Sequence, residues 1–254
     1  MTDKNYSVVI TTFSNRLDYF IKFLGQVRSQ TDADIIVTVN GNYNQKFDDN
    51  YRNSILKTCS EYKNVYPIFF PEQRGLAKLW NSSIIHSAND WVVILQDDLE
   101  LVSDDFFKFL EQNLTHQHPD LCRINSTFQH FAIHKDTIEE LGWFDERLLG
   151  FGEEDGDIIW RYIEKYNKNV TEWSIGGIQP SGNWIRDENI RPGVSKYSAF
   201  NREYMFNPNN NPKYIPSGND NGIEGMFGSK HIKAQPDSIQ YPYESFFRAN
   251  RNKL

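Results

Sequence analysis

Short β-branched apolar runs alternate with longer stretches of helical spacing through the first hundred residues. Ser7–Thr12 (SVVITT) reads as a strand. Leu17, Phe20, Ile21, Leu24 and Val27 then recur every three or four residues, predicting a helix to about Gln30, with Ser14 or Asn15 suited to its N-cap. Asp34–Asn40 (DIIVTVN) is a second strand, closed by Gly41, and Tyr51–Tyr62 a second helix with Ile55 and Leu56 on its apolar side. Val65–Phe70 is a third strand bounded by Pro71, Leu76–Ser87 a third helix, and Trp91–Leu95 a fourth strand. Such alternation predicts βαβ units, hence an α/β fold with a parallel sheet and helices on its faces.

Beyond the fourth strand, Asp104–Leu114 is helical in pattern, opened by Ser103, and Leu121–Asn125 and Phe131–His134 read as strands. Asp136–Leu141 is a short helix ending at Gly142, and Ile158–Tyr166 an amphipathic one. From Asn167 onward the pattern weakens, and Met205–Gly225 is rich in Asn, Pro and Gly, the composition of an irregular segment. No internal repeat or linker divides the chain. The expectation is one domain over residues 1–204, with residues 205–254 an irregular C-terminal extension packed on it.

Composition narrows the function classes. With 254 residues the chain can bury a large core, and its net charge of -7 argues against a general nucleic-acid binder. Two cysteines are too few for a Cys-based zinc site and argue against a disulfide framework. Met1–Tyr6 is polar, and no apolar run approaches the roughly 20 residues of a membrane span, so the expected location is the cytoplasm.

Candidate chemistry centres on Trp91–Glu100 (WVVILQDDLE). Its apolar run ends in Gln96, Asp97 and Asp98, and adjacent carboxylates resist burial. Either a divalent cation neutralises them at the ligand edge of the sheet, or they sit in water at a strand end. In Gly142–Asp157 (GWFDERLLGFGEEDGD), Glu153, Glu154, Asp155 and Asp157 crowd the start of a helix. They could cap it and complement its dipole, or one could serve as a general base. Gly150, Gly152 and Gly156 suggest a close approach to the backbone. Arg74, Lys78 and Asn81 could face a phosphate or sugar, or be solvated helix residues; Gly75 could allow a turn. Thr12–Arg16 offers an aromatic face and a cation beside a helix start, suited to a nucleotide. Trp143, Phe151, Trp173 and Trp184 could stack on sugar faces or pack in the core. His130 and His134, in the strand region, read as structural.

Taken in order, VVITTFSNR, IIVTVNGN, RGLAKLWNSSI, VVILQDD, GWFDERLLGFGEEDGDIIWR and FNREYMF resemble the GT-A fold inverting glycosyltransferases, the large family of polysaccharide and rhamnosyl-type transferases. The likeness spans about Ser7 to Tyr204. It implies a Rossmann-like, mostly parallel sheet flanked by helices. It implies transfer of a sugar from a nucleotide-sugar donor to a glycan or lipid-linked acceptor, in bacterial surface polysaccharide synthesis.

By position, the resemblance makes Asp98 a ligand of Mn2+ or Mg2+ bridging the donor diphosphate. Gln96 and Asp97 would contact the donor or the metal shell, and Thr11, Thr12, Phe13, Arg16 and Asn40 would line the nucleotide pocket. Asp155 would be the base that deprotonates the acceptor, and Glu154 would hold it. The chain departs from the pattern at Gln96, where the family's motif starts with a carboxylate, and at Asn40, where an acid is usual. Ile178–Gly182 lacks the family's frequent metal-binding histidine; His231, farther on, is the candidate for that role, against the alternative of a surface histidine. The aromatic and basic tail, Tyr241–Leu254, with only Arg248, Arg251 and Lys253 as cations, is either a solvated tail or a peripheral contact with the inner face of the cytoplasmic membrane. The rival readings are a retaining transferase or nucleotidyltransferase on the same fold, and a non-catalytic binding protein.

Overall fold

The computed structural model describes residues 4–13, 16–41, 48–181 and 201. These fall into two units: one takes residues up to Arg74, Ser82–Thr137 and the chain from Thr171; the other takes Gly75–Asn81, Ile138–Val170 and Asn201. The expected boundary at 204/205, Met205–Gly225, the C-terminal tail, Trp184 and His231 lie outside the described residues.

The first unit is built on β1 (Tyr6–Thr12), α1 (Leu17–Gln30), β2 (Ile35–Val39), α2 (Asp49–Ser60), β3 (Val65–Phe69) and β4 (Trp91–Gln96), as the pattern predicts. All seven residues of β1 and all five of β2 are buried, which explains why both read as unbroken β-branched runs rather than alternating ones. At the start of α1 the N-cap position is Arg16, whose side chain makes no capping bond; Ser14 and Asn15 are outside the described residues. Helix α2 is capped by Asp48, whose carboxylate accepts the N–H groups of Asn50 and Tyr51 at 2.8 and 3.3 Å. Helix α3 (Leu76–His86) belongs to both units by sequence.

After β4 come β5 (Leu99–Leu101), α4 (Asp105–Asn113), β6 (Leu121–Ile124), β7 (Thr127–His134) and α5 (Lys135–Leu141). The unit closes with β8 (Thr171–Trp173) and β9 (Ile178–Pro180), which follow α6 (Glu154–Tyr166) of the second unit. Strands β6 and β7 form a hairpin. Its two-residue loop, Asn125-Ser126, holds φ of 51° and 59°, the left-handed pair that a tight hairpin turn requires. Asn125 is fixed there by exchanging hydrogen bonds with the backbone of Ile175 at 2.8 and 2.9 Å.

The main sheet has seven strands in the order β3-β2-β1-β4-β7-β6-β8. Only β7 runs against the rest. Thus β1, β2 and β3 step outward in one direction and the chain returns to place β4 on the other side of β1. That reversal makes the C-terminal ends of β1 and β4 a switch point, where open α/β sheets leave a ligand crevice. Val8, Ile10, Ile35, Val37, Val93 and Leu95 share one face of the sheet and join Phe20, Phe23, Leu24, Phe106 and Phe107 in a single core. Strands β5 and β9 pair in a separate antiparallel ribbon directly after β4, and the Ser181 N–H donates to the Asp98 carbonyl at 2.7 Å. The ribbon therefore fixes the backbone on which the acidic pair sits.

The second unit contains α6, the first half of α3 and the segment joining α5 to α6. Leu79, Trp80, Phe144, Ile158 and Tyr162 are buried in it, with the Trp80 and Phe144 rings edge-to-face at 5.0 Å. Helix α6 starts four residues earlier than its apolar pattern predicts, so Glu154, Asp155 and Asp157 lie inside its first turn.

Candidate active site

In the first unit the pair Asp97–Asp98 follows β4 at the switch point and is buried, at 2 % and 5 % exposure. Water at a strand end, one of the two readings of this pair, is thereby excluded. A cation does lie against it, and that cation is Arg16, itself buried. Arg16 Nε is 2.9 Å from Asp97 Oδ1 and Nη2 is 3.7 Å from Asp98 Oδ2. Among the described residues, both nitrogens lack a hydrogen-bond partner, so neither contact has hydrogen-bond geometry. They are ion pairs that leave guanidinium N–H groups unengaged.

Thr12, at the end of β1, donates its hydroxyl to Asp97 Oδ2 at 2.6 Å. Among the described residues, Asp98 Oδ1 is buried with no hydrogen-bond partner. Burial is the main influence on both acids and raises them. Asp97 is pushed up to about 7, against the opposing pull of Arg16 and with added repulsion from Asp98. Asp98 is raised by burial, again opposed by Arg16. Two carboxylates held by one guanidinium keep a surplus negative charge and an open oxygen, a donor set that suits a hard cation.

The other first-unit candidates occupy the same strand ends. Thr11 pairs with Gln96 in the β1–β4 register, and its hydroxyl contacts that of Thr38 at 3.1 Å. Phe13 and Gln96 are half-buried. Asn40, after β2, is buried, and its amide is engaged with backbone: Oδ1 accepts the N–H groups of Arg74 and Gly41 at 2.8 and 3.0 Å, and Nδ2 donates to the Arg74 carbonyl at 3.0 Å. Asn40 therefore pins the backbone of Arg74 beside the ends of β2 and β1. Tyr51 escapes the sequence reading. Its hydroxyl donates to the Phe13 carbonyl and lies 3.4 Å from the Thr12 hydroxyl, bracing the loop after β1. The signal for it was only a buried aromatic in the first turn of α2.

The second unit holds Lys78, Asn81, Glu154 and Asp155. Lys78 is not the solvated helix residue that its spacing allowed: it is largely buried, with Nζ 3.3 Å from Glu146 Oε2. Asn81 accepts the Phe144 N–H at 3.0 Å and donates to the Phe144 carbonyl and Glu146 Oε1 at 2.8 and 3.1 Å. Both residues thus hold the Phe144–Glu146 segment. Gly75 serves close approach rather than a left-handed turn. A Cβ there would lie 2.6 Å from the Leu148 carbonyl oxygen, and the next N–H, of Leu76, donates to Gly150 O at 2.6 Å.

The acids of α6 divide in role. Glu153 is the N-cap residue but makes no side-chain cap, and its φ of 78° is strained for a residue with a Cβ. Glu154 is buried and accepts the Gly152 N–H at 2.6 Å; burial first, and the Asp155 charge second, raise it. Asp155 is half-buried and accepts the Gly156 N–H at 2.8 Å. Asp157 is engaged by Arg161 at 2.5 and 3.0 Å and is structural. Gly150 and Gly152 hold φ of 59° and 110°, the conformational need behind two of the glycines. Asn201, in the FNREYMF stretch and given no role by the sequence reading, is fully buried. It accepts the Leu149 N–H at 2.7 Å and donates to Leu149 O and Gly152 O at 2.9 and 2.8 Å, fixing the approach to Glu154. Of the four tryptophan and phenylalanine candidates, Trp173 packs edge-to-face on Phe109 at 5.5 Å.

Comparison with known proteins places these residues in context. No curated protein matches the chain. Among solved structures, a mannosyltransferase from Pyrobaculum calidifontis, in complex with GDP-Man and Mn2+, is similar at a TM-score of 0.56 and 14% identity, covering 82% of this chain and 72% of its own. Glucosyl-3-phosphoglycerate synthase from Mycobacterium tuberculosis, in complex with Mn2+, UDP and glucosyl-3-phosphoglycerate, gives a TM-score of 0.54 at 11% identity, covering 78% and 80%. The catalytic domain of Drosophila β1,4-galactosyltransferase 7, in complex with xylobiose, gives 0.50 at 11% identity, covering 93% and 84%. At these identities the likeness establishes the GT-A fold. Residues 7–204 match the family described as glycosyl transferase family 2, which covers the whole switch-point site and the α6 acids. The chain belongs to glycosyl transferase family 2 and is a nucleotide-sugar-dependent glycosyltransferase.

Proposed function

We propose that this enzyme moves a sugar from a nucleoside diphosphate sugar to a hydroxyl of a glycan or lipid-linked acceptor, with inversion at the anomeric carbon, in bacterial surface polysaccharide assembly. The observation that carries the reading is the buried Asp97–Asp98 pair at the switch point, with Asp98 Oδ1 unpartnered and Arg16 N–H groups unengaged. Similar structures solved with GDP-Man and Mn2+, and with UDP and Mn2+, support the donor class and the metal.

The residues present fit a divalent cation. Asp98 would hold Mn2+ or Mg2+ through its open oxygen, with Asp97 held beside it by Thr12 and Arg16. When bound, the cation neutralises charge that develops on the departing nucleoside diphosphate. Arg16 offers its unengaged N–H groups to a phosphate oxygen, and Thr11, Thr12, Phe13, Asn40, Arg74 and Gln96 shape the nucleotide pocket. Lys78 and Asn81 act by positioning Phe144–Glu146. Asp155 would take the proton of the acceptor hydroxyl as its oxygen attacks the anomeric carbon and the bond from that carbon to the nucleoside diphosphate breaks. Glu154, raised by burial toward its neutral form, holds the acceptor. A metal-ligand role for His231 and a membrane-facing role for Tyr241–Leu254 rest on the sequence alone. No helix among the described residues is long and apolar enough to cross a membrane.

The test has two arms. Asp155→Asn is expected to lower kcat by about 10²–10⁴-fold while donor affinity is unchanged; retained turnover would sink the base assignment. A thermal-shift panel of nucleoside diphosphates with Mn2+ should stabilise the protein, and a flat panel would remove the donor site. NMR of the product's anomeric proton decides between inversion and retention.

A further inference from the structure

A second group of metal-type side chains lies away from the acidic pair, within the first unit. His134 ends β7, Asp136 opens α5, and His116 lies in the connection from α4 to β6. In the sheet register His134 pairs with Trp91, the first residue of β4, whereas Asp97 follows the last. Six residues of strand separate the two places, about 20 Å at ~3.3 Å per residue. One ligand atom from each of His116, His134 and Asp136 can be chosen so that all three lie within 4.8 Å of one another. Asp136 Oδ2 lies within reach of both rings, 3.6 Å from His116 Nε2 and 3.7 Å from His134 Nδ1.

We propose that His116, His134 and Asp136 form a binding site for a borderline-soft divalent cation of the Zn2+ class, with water as its fourth ligand. Ligand atoms of a tetrahedral zinc site, at bond lengths of roughly 2.0–2.1 Å, stand about 3.3 Å apart. The two carboxylate–imidazole separations exceed that by only a few tenths of an ångström. The proton positions are also right. His116 Nδ1 is 2.7 Å from Asp120 Oδ2, a pure acceptor that also takes the Gln117 N–H at 2.9 Å. In the tautomer that this pairing selects, with the proton on Nδ1, Nε2 is the nitrogen open to a cation on the Asp136 side. This carboxylate–histidine relay is the usual outer support of a metal-bound imidazole. On the other ring, His134 Nδ1 accepts a long 3.3 Å hydrogen bond from the Asp136 N–H, a weak bond that a cation at Nδ1 would displace.

The rings are stacked, with centroids 3.8 Å apart and planes at 22°, so the lone pairs run side by side. Convergence on one ion needs a tilt of His116, whose side chain is 43 % exposed. Two nitrogens and one carboxylate favour Zn2+ over Mn2+ or Mg2+, which prefer all-oxygen shells. The site would tie the α4–β6 connection to the start of α5, at the opposite end of β4 from the acidic pair.

The test uses the full chain, free of affinity tags and stripped of metal, with Co2+ as a spectroscopic stand-in for Zn2+. One equivalent of Co2+ should give the strong visible bands of a four-coordinate site, displaced by Zn2+. His116→Ala and Asp136→Asn, both at exposed side chains, should each abolish the bands, while Asp98→Asn keeps them. Asp120→Asn should weaken Zn2+ binding by about 10–100-fold. Absence of the bands in the wild-type chain would overturn the proposal, and so would bands that persist in folded His116→Ala protein or vanish in Asp98→Asn.

Discussion

Replacing Asp97 with Asn should stabilise the metal-free protein above neutral pH while removing its activity. Asp97 is 2 % exposed, and burial, only partly offset by Arg16, lifts it from 3.8 to about 7. A carboxylate raised in the folded state contributes its full stability below its unfolded value and loses it as pH rises through the folded value. Roughly 3 units at 1.36 kcal/mol each mean that about 4 kcal/mol disappears between pH ~4 and ~8. Asparagine does not titrate, and its amide can keep a hydrogen bond with Thr12. Arg16 loses its nearer partner but retains Asp98 at 3.7 Å, which trims the gain. The net expectation is about 2–4 kcal/mol at pH 8 and near zero at pH 4.5. At ~2–4 °C per kcal/mol, Tm should rise by about 4–16 °C at pH 8. Thermal melts followed by circular dichroism in chelator, at pH 4.5, 6 and 8, read this directly. Mn2+ should then stabilise the wild-type chain at pH 8 more than the variant. A Tm difference that does not change with pH, or a variant less stable at pH 8, would refute the reasoning.

Two further substitutions probe the frame around the site. His130 is 1 % exposed with neither ring nitrogen partnered, and burial pushes it from 6.5 down to about 4. A histidine lowered in this way costs stability as pH falls from ~6.5 through ~4, by about 3 kcal/mol; His130→Leu should therefore gain in Tm over wild type at pH 4.5 relative to pH 7.5, and an equal difference at both would contradict it. Asn201→Ala strands the Leu149 N–H and two carbonyls, and should cost about 2–4 kcal/mol in urea unfolding, with a loss below ~1 kcal/mol contradicting its bracing role.

The legible parts of the fold were those written in contiguous residues. β1 to β4 announce themselves because central parallel strands are buried on both faces and so appear as apolar runs. The three-residue strands β5, β8 and β9 do not. Thr171–Trp173 is mostly exposed and charged in part, and only pairing with β6 makes it a strand. Strand β7 begins at Thr127, four residues before the apolar run that marks it, because the Asn125-Ser126 turn fixes its register. Asp97, Asp98, Glu154 and Asp155 stood out as carboxylates in company. The partners that define them did not. Arg16 reads locally as a residue beside a helix start, and only the β1–β4 pairing carries it onto the acids. Lys78 looks solvated until Glu146, in a distant stretch of chain, closes on it. Asn201 lies in FNREYMF, one of the stretches that carry the resemblance, but nothing local gives it a role, since its three partners are all backbone groups some fifty residues earlier.

Arg16 also changes what the acidic pair means. For stability alone, a buried group of two carboxylates and one guanidinium would be better replaced by apolar side chains. Here the charges are close without being satisfied: among the described residues, Arg16 Nε and Nη2 make no hydrogen bond and Asp98 Oδ1 has no partner. A ligand carrying only a cation would meet Asp98 and repel Arg16. A bare diphosphate would meet Arg16 and repel both acids. A cation bound to a diphosphate brings each sign to its counterpart and engages all three side chains together. In the proposed donor site, the unmet charges around the buried Asp97 would be satisfied by one class of ligand, the metal–diphosphate end of a nucleotide-sugar, and it is this selectivity, rather than the presence of two aspartates, that would tie the site to its chemistry.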